Sequence, residues 1–295
     1  MKTFLICNPA AGGIADRRAL LKKLKAAFGS SIWFTKRRGD ATRLARQAIR
    51  NGFDYLIAAG GDGTLNEVIN GIGSRAKKVQ AGLLPLGTGN DFARTLELPS
   101  SVEDNIDILL SQRTRKIDLV RVKSDRVRYF INVSAGGGFS GMGTEKLTPE
   151  LKQRWGPLAY VRAAAAMLPK LHGYRTRIVL EERREFSADL YTPIVANGRY
   201  VACGLPIAPK VDPGDGRLDV VLISKQTKAQ AVLVAAQILL GSHLASDAVT
   251  FRRVTKISIR SRPGMWFTAD GEMIGKAPAH FAVVPRALSF VVGNK

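Results

Sequence analysis

Tyr55-Leu-Ile-Ala-Ala-Gly-Gly-Asp-Gly-Thr-Leu-Asn-Glu-Val-Ile-Asn-Gly71 is the stretch on which the fold turns. It opens as a short apolar run with no charge after Asp54, the pattern of a strand buried on both faces. It closes with Leu65, Val68, Ile69 and Ile72 at helical spacing, and Asn66, Glu67 and Asn70 on the other face. Between them lies Gly60-Gly61-Asp62-Gly63-Thr64. Glycines let such a turn bend and let a bulky anion reach the backbone N–H groups. The positive end of the following helix favours that anion. No Gly-x-x-x-x-Gly-Lys-Ser/Thr occurs in the chain, so this is not the common phosphate loop. No lysine sits in the turn, and Asp62 would repel a bare phosphate. The turn therefore predicts a nucleotide carrying magnesium close to Asp62.

Outward from it, the chain alternates. Strands are predicted over 3–7, 32–35, 55–59 and 81–84, and helices over 15–28 and 40–51, with Asp40 as an N-cap. Ser101 caps a further helix to 111. Strand–helix alternation argues for a parallel sheet covered by helices. Three small-residue loops follow successive strands, at 8–13, 60–64 and 87–91. Ligands of open α/β sheets sit at that end of the strands. Beyond about residue 122 the pattern changes to strands separated by turns: 116–122, 128–133, 176–180, 191–195, 218–223, 256–260 and 282–284. This half reads as an antiparallel β-sandwich, interrupted by helical apolar patches at 158–168 and 229–240.

Composition narrows the classes. The length of 295 residues suggests two domains, since single cores stop growing at about 250–300 residues. No apolar run reaches the ~18 residues a membrane helix needs. The apolar stretch after Met1 is too short for a signal-peptide core, so the chain is expected in the cytoplasm. Cys7 and Cys203 form no framework, and His172, His243 and His280 have no metal spacing. The net charge of +21 points to an anionic partner, whether nucleic acid, an anionic leaflet or a small anion. No helix-turn-helix, zinc or aromatic RNA-binding motif supports nucleic acid.

Four further constellations could carry chemistry. Asn90-Asp91 in Gly87-Thr-Gly-Asn-Asp91 could cap a helix, contact a ligand, or do both. Glu67 is either a solvent-facing helix residue or part of the site. Asp212-Pro-Gly-Asp-Gly-Arg-Leu-Asp219 gathers carboxylates around a turn, suited to a hard cation or to a plain polar turn. In Ala269-Asp-Gly-Glu272, extended backbone would point Asp270 and Glu272 to one side, as general-base work on a hydroxyl would need. Gly136-Gly-Gly138 before Phe139 is a flexible loop with no assigned chemistry.

Taken in order, Gly60-Gly-Asp-Gly-Thr-Leu-Asn-Glu-Val68, Leu84-Pro-Leu-Gly-Thr-Gly-Asn-Asp-Phe-Ala-Arg94, the 208–220 segment and Ala269-Asp-Gly-Glu272 resemble the soluble bacterial diacylglycerol kinase family, whose wider kin are sphingosine and ceramide kinases. The GGDGT element alone is shared with NAD kinases and phosphofructokinases. The resemblance implies an NAD-kinase-like α/β domain over 1–122, rejoined by 281–295, and a β-sandwich lipid-substrate domain over 123–280. It implies ATP and Mg2+ as cofactors. The nucleotide contacts carry over onto Asn8, Pro9, Ala10, Ala11, Gly12, Thr35, Gly60, Gly61, Asp62, Gly63, Thr64, Leu65, Asn66 and Thr88. A structural magnesium site carries over onto Asp215, with Asp212 and Arg217 offering carbonyls. The proton acceptor maps to Glu272, with Asp270 as the alternative. The first loop departs from many relatives in lacking a hydroxyl among its small residues, which predicts weaker nucleotide binding. The implied activity is phosphoryl transfer from ATP to a lipid hydroxyl, with diacylglycerol as first choice and a sphingoid base, phosphatidylglycerol or NAD as alternatives. The lipid would be met at an anionic membrane surface, with no nucleic-acid partner, and a homodimer is left open.

Overall fold

The computed structural model describes residues 1–14, 16–137 and 172–293. The helical patch expected over 158–168, together with Gly138 and Phe139, lies outside them.

The first half folds as alternating elements: β1 (Thr3–Cys7), α1 (Arg17–Phe28), β2 (Ile32–Phe34), α2 (Asp40–Arg50), β3 (Tyr55–Gly60), α3 (Asp62–Ile72), β4 (Gln80–Pro85), α4 (Asp91–Thr95) and α5 (Val102–Ser111). The strands pair in parallel in the order β2-β1-β3-β4. Side chains alternate across a strand. Ile6, Leu56 and Ala58 therefore face one helical layer with Leu65, Val68 and Ile69. Leu5, Ile57 and Ala59 face the other, with Leu20 and Leu24 of α1 and Leu109 of α5. Every residue of β3 is buried, as its uninterrupted apolar run requires.

Two helix starts differ from their sequence reading. Asp16 caps α1 by accepting from the N–H groups of Arg18 and Ala19. At α2 the cap residue is Gly39 in the left-handed region, and Asp40 lies inside the first turn. The Asp40 carboxylate turns back to accept from the N–H groups of Lys36 (2.9 Å) and Arg37 (3.2 Å), bracing the preceding loop. The free N–H groups of α2 are satisfied from the neighbouring helix. Glu67 of α3 accepts from Gly39 N at 2.7 Å and Ala41 N at 2.9 Å. Glu67, half-buried, thus clamps α2 to α3 instead of pointing freely into solvent.

The second half is antiparallel. It comprises β5 (Thr114–Lys123), β6 (Val127–Phe130), β7 (Val133–Gly136), β8 (Tyr174–Leu180), β9 (Arg184–Ala196), β10 (Tyr200–Val201), β11 (Leu205–Pro206), β12 (Leu218–Ser224), α6 (Lys228–Leu239), β13 (Val249–Val254), β14 (Lys256–Arg262), β15 (Trp266–Ala269), β16 (Glu272–Lys276) and β17 (Ala279–Val291). Its strands form a β-sandwich around Val120, Phe130, Ile178, Phe267 and Phe281, with a second cluster beneath α6. The single strand expected over 128–133 is two strands, β6 and β7, because the N–H groups of Ile131, Asn132 and Val133 bond the Asp270 carboxylate.

β17 joins the halves. β5 pairs along both parts of β17, its first part also pairs with β14, and its end, at Ser289 and Phe290, pairs in parallel with β4. A register shift between Val284 and Leu288 marks the crossing. There Arg286, with a φ of 49°, donates its N–H to Asp118 at 2.6 Å. Among the described residues no helix is long and apolar enough to cross a membrane.

Candidate active site

Three loops meet at the carboxyl ends of β1, β3 and β4. The strand register sets Cys7 beside Ala59 and Gly60 beside Pro85, so the loops that follow start side by side. They then pack without side chains between them. A Cβ on Gly87 would stand 2.5 Å from Gly61 Cα, and one on Gly12 would stand 2.8 Å from Thr88 Oγ1. At Gly87 the obstacle is backbone, so no larger residue fits there without moving the chain. Asn8 ties the first loop together, accepting from Ala10 N at 3.0 Å and donating through Nδ2 to Thr64 Oγ1 at 3.5 Å. Thr35 follows β2 and donates its N–H to Cys7 O at 2.9 Å. Asn8, Pro9, Ala10, Ala11 and Gly12, residues 60–64 and Thr88 therefore lie on one surface at the N-terminus of α3. That helix end offers backbone N–H groups and its positive dipole to an anion. Leu65 and Asn66 are instead buried, in the first turns of α3.

Asp62 has a structural reason to be in the turn. Its two oxygens accept from Asp91 N (3.0 Å) and Phe92 N (3.1 Å), so it caps α4 from the adjacent loop. Asn90 does not cap that helix. It adopts the left-handed conformation and closes its own loop onto Gly87, accepting Gly87 N at 3.0 Å and donating to Gly87 O at 2.7 Å. Asp91 reaches into the second domain, accepting Cys203 N at 3.1 Å. Its Oδ1 is buried without a partner, and its carboxyl is pushed up to about 6, by burial first and by the Asp62 charge second.

Across from these loops stands the turn of the β15–β16 hairpin. Ala269 pairs with Glu272, leaving Asp270 and Gly271 as a two-residue turn with φ of 48° and 81°. The backbone is therefore not extended here, and the expectation that Asp270 and Glu272 share one side is overturned. Asp270 turns inward. Its Oδ1 accepts from Asn132 N and Val133 N, and its Oδ2 from Ile131 N and Asn66 Nδ2, all at 3.0–3.1 Å. Burial pushes its carboxyl up to about 6 against the pull of these donors. Glu272, at the start of β16, is only partly buried and pairs with Arg38 of the loop after β2. Asn70 completes the seam by bonding both the N–H and the carbonyl of Tyr129.

A family profile described as the diacylglycerol kinase catalytic domain matches residues 2–122. One described as the YegS C-terminal NAD kinase beta sandwich-like domain matches residues 133–292. A diacylglycerol kinase of Staphylococcus haemolyticus is 33% identical over 96% of this chain and 85% of its own. One of Staphylococcus aureus is 32% identical over 98% and 92%. The chain belongs to the diacylglycerol kinase family. It is a lipid kinase. A crystal structure of a diacylglycerol kinase from Bacillus anthracis superposes with a TM-score of 0.74 at 21% identity, covering 99% of this chain and 97% of that one, a likeness of fold.

The kinase does not carry a preformed metal centre among its described residues, where no group of three or more His, Cys, Asp or Glu side chains is arranged to hold an ion. Both Asp62 oxygens are engaged. In the 212–217 turn, Asp212 pairs with Arg115 and Asp215 with Arg253, while Arg217 gives its N–H to Asp215 at 2.9 Å. The Asp215 carboxylate thus has protein donors on both oxygens, and the Asp212 carbonyl accepts from Asp215 N at 3.4 Å, so the turn as arranged does not fit a resident magnesium ion. One residue of the candidate site, Arg38, escaped the sequence reading, and the turn geometry at Asp270 was read as extended. Arg38 lies in a basic run with no motif of its own, and its partner is 234 positions away in sequence, so no local signal marks it. The turn at Asp270-Gly271 did carry a signal, an Asp-Gly pair between apolar runs, which is a strong hairpin mark.

Proposed function

We propose that this lipid kinase transfers the γ-phosphoryl group of ATP to the hydroxyl of diacylglycerol, giving phosphatidic acid. The observation that carries this reading is the facing arrangement of an anion cradle and a partly exposed carboxylate across the seam between the two domains. The N–H groups at the start of α3 and the loops 8–13 and 87–91 hold the nucleotide phosphates. Phosphoryl transfer asks a protein mainly for such positioning and charge neutralisation. Magnesium arrives on the nucleotide as the counter-ion of its phosphates, and no step here is routed through a protein-held ion. Glu272 takes the proton of the lipid hydroxyl. Asp270 is unsuited to that task, because four donors already fill its two oxygens. Asp270 instead sets the hairpin turn against α3. Arg38 pairs with the Glu272 carboxylate, and the incoming phosphates compete for that guanidinium.

The relatives named diacylglycerol kinase, at 32–34% identity, favour diacylglycerol over other lipid hydroxyls. The apolar helix α6 adds to the second domain an apolar surface, with Leu233 exposed and only Val234 and Ile238 buried. The test is phosphate incorporation from labelled ATP in mixed micelles, each containing diacylglycerol, phosphatidylglycerol or a sphingoid base, with NAD in a parallel reaction. Label in phosphatidic acid is expected. Label confined to another acceptor would overturn the substrate while leaving the kinase standing.

A further inference from the structure

The turn between β11 and β12 is the place where the family resemblance calls for a structural magnesium ion, and it holds protein cations instead. Asp212 Oδ1 accepts from Arg115 and from Gly214 N at 2.9 Å. Asp215 Oδ1 accepts from Arg217 N at 2.9 Å, and its Oδ2 pairs with Arg253. The same guanidinium reaches Asp219 through Nε at 3.1 Å. Asp219 and Arg253 are cross-strand partners in β12 and β13, so the ladder itself aims Arg253 at the turn. Beneath them, the fully buried Asp118 accepts from Gly216 N and from Arg286 N, both at 2.6 Å, tying the turn to the crossing point of β17. Every carboxylate in this group thus has a protein donor.

We propose that Arg115 and Arg253 take the place of a divalent cation at the 212–219 turn, so that this kinase builds the turn without a bound metal. A guanidinium suits the task. Its planar fork spans two carboxylates, where magnesium demands near-octahedral oxygen geometry and retained waters. The proposal does not rest on the catalytic reading, and its test uses the full chain without nucleotide.

The experiment is thermal unfolding in EDTA and in magnesium chloride at matched ionic strength, with calorimetric titration of magnesium into the wild-type chain. The wild type is expected to unfold at the same temperature in both buffers and to give no saturable binding heat. The Arg115→Gln/Arg253→Gln variant leaves the carboxylates uncompensated. It is expected to unfold roughly 5 °C or more earlier in EDTA and to regain stability with magnesium. Arg253→Lys, which keeps a cation at the turn, is expected to stay metal-independent should the double variant fail to fold. A wild-type chain that loses stability in EDTA and recovers it with magnesium, or that binds one ion saturably, overturns the proposal. So does a double variant as stable as the wild type in EDTA.

Discussion

Asp91 and Asp270 are carboxyls of one neighbourhood, both raised to about 6 and both facing the charge of Asp62. Their bonding differs. Asp270 has four donors, while Asp91 has an oxygen with none. A carboxyl raised in the folded state stabilises the fold most below its unfolded value of about 3.9, and that advantage is lost as pH climbs through the folded value near 6. Asp91→Asn keeps an acceptor for Cys203 N and removes the charge beside Asp62. Urea unfolding is expected to find this variant more stable than wild type by about 1–3 kcal/mol near pH 7.5, with the gap closing by about pH 4. A gap of the same size at both pH values would refute the burial of a charged Asp91. Asp270 is unsuited to such a swap, because an amide would set a donor against the N–H groups it now accepts.

At the scale of elements, the loops work because glycine meets glycine. Gly87→Ala puts a methyl group against Gly61 Cα at 2.5 Å and Asn90 Oδ1 at 2.8 Å, and the first of these is backbone that has nowhere to move. The expected outcome is a KM for ATP raised roughly tenfold or more, with a lesser effect on lipid affinity, since the cradle opens while the second domain is untouched. Steady-state kinetics against each substrate separates the two. These elements were largely legible in the chain. The alternation through β4 follows from period and punctuation, and the three small-residue loops fall at the same end of successive strands. What local pattern could not show was long-range bonding. Glu67 looked like a surface residue because its partners, Gly39 and Ala41, lie on another helix. The 128–133 run looked continuous because the carboxylate that breaks it comes from Asp270, far along the chain. Asp62 had no visible partner in the sequence because its two N–H donors belong to the next loop.

At the scale of the molecule, β17 makes the two halves one sheet, and the candidate site lies where they meet. The Asn66–Asp270, Asn70–Tyr129 and Arg38–Glu272 contacts cross that seam from α3 and the β2 loop to the second domain. We propose that the charge of +21 draws the kinase to an anionic leaflet. Each Lys or Arg near an anionic leaflet contributes about 1 kcal/mol, within a Debye length of roughly 8 Å at physiological salt. Cosedimentation is expected to show binding to phosphatidylglycerol-containing vesicles and little to phosphatidylcholine alone, with the difference erased by high salt. Equal binding to both would remove charge from the account.

Within the hairpin turn Glu272 takes the proton and Asp270 holds the backbone, and Glu272→Gln separates the two roles. Under saturating diacylglycerol in mixed micelles, the account predicts a kcat lower by about a hundredfold or more. The thermal midpoint should stay near that of wild type, because the amide leaves the cradle and the turn in place, and the KM for ATP should not rise, because Arg38 is then free for the phosphates. A Glu272→Gln kinase that turns over at close to the wild-type rate would contradict the account.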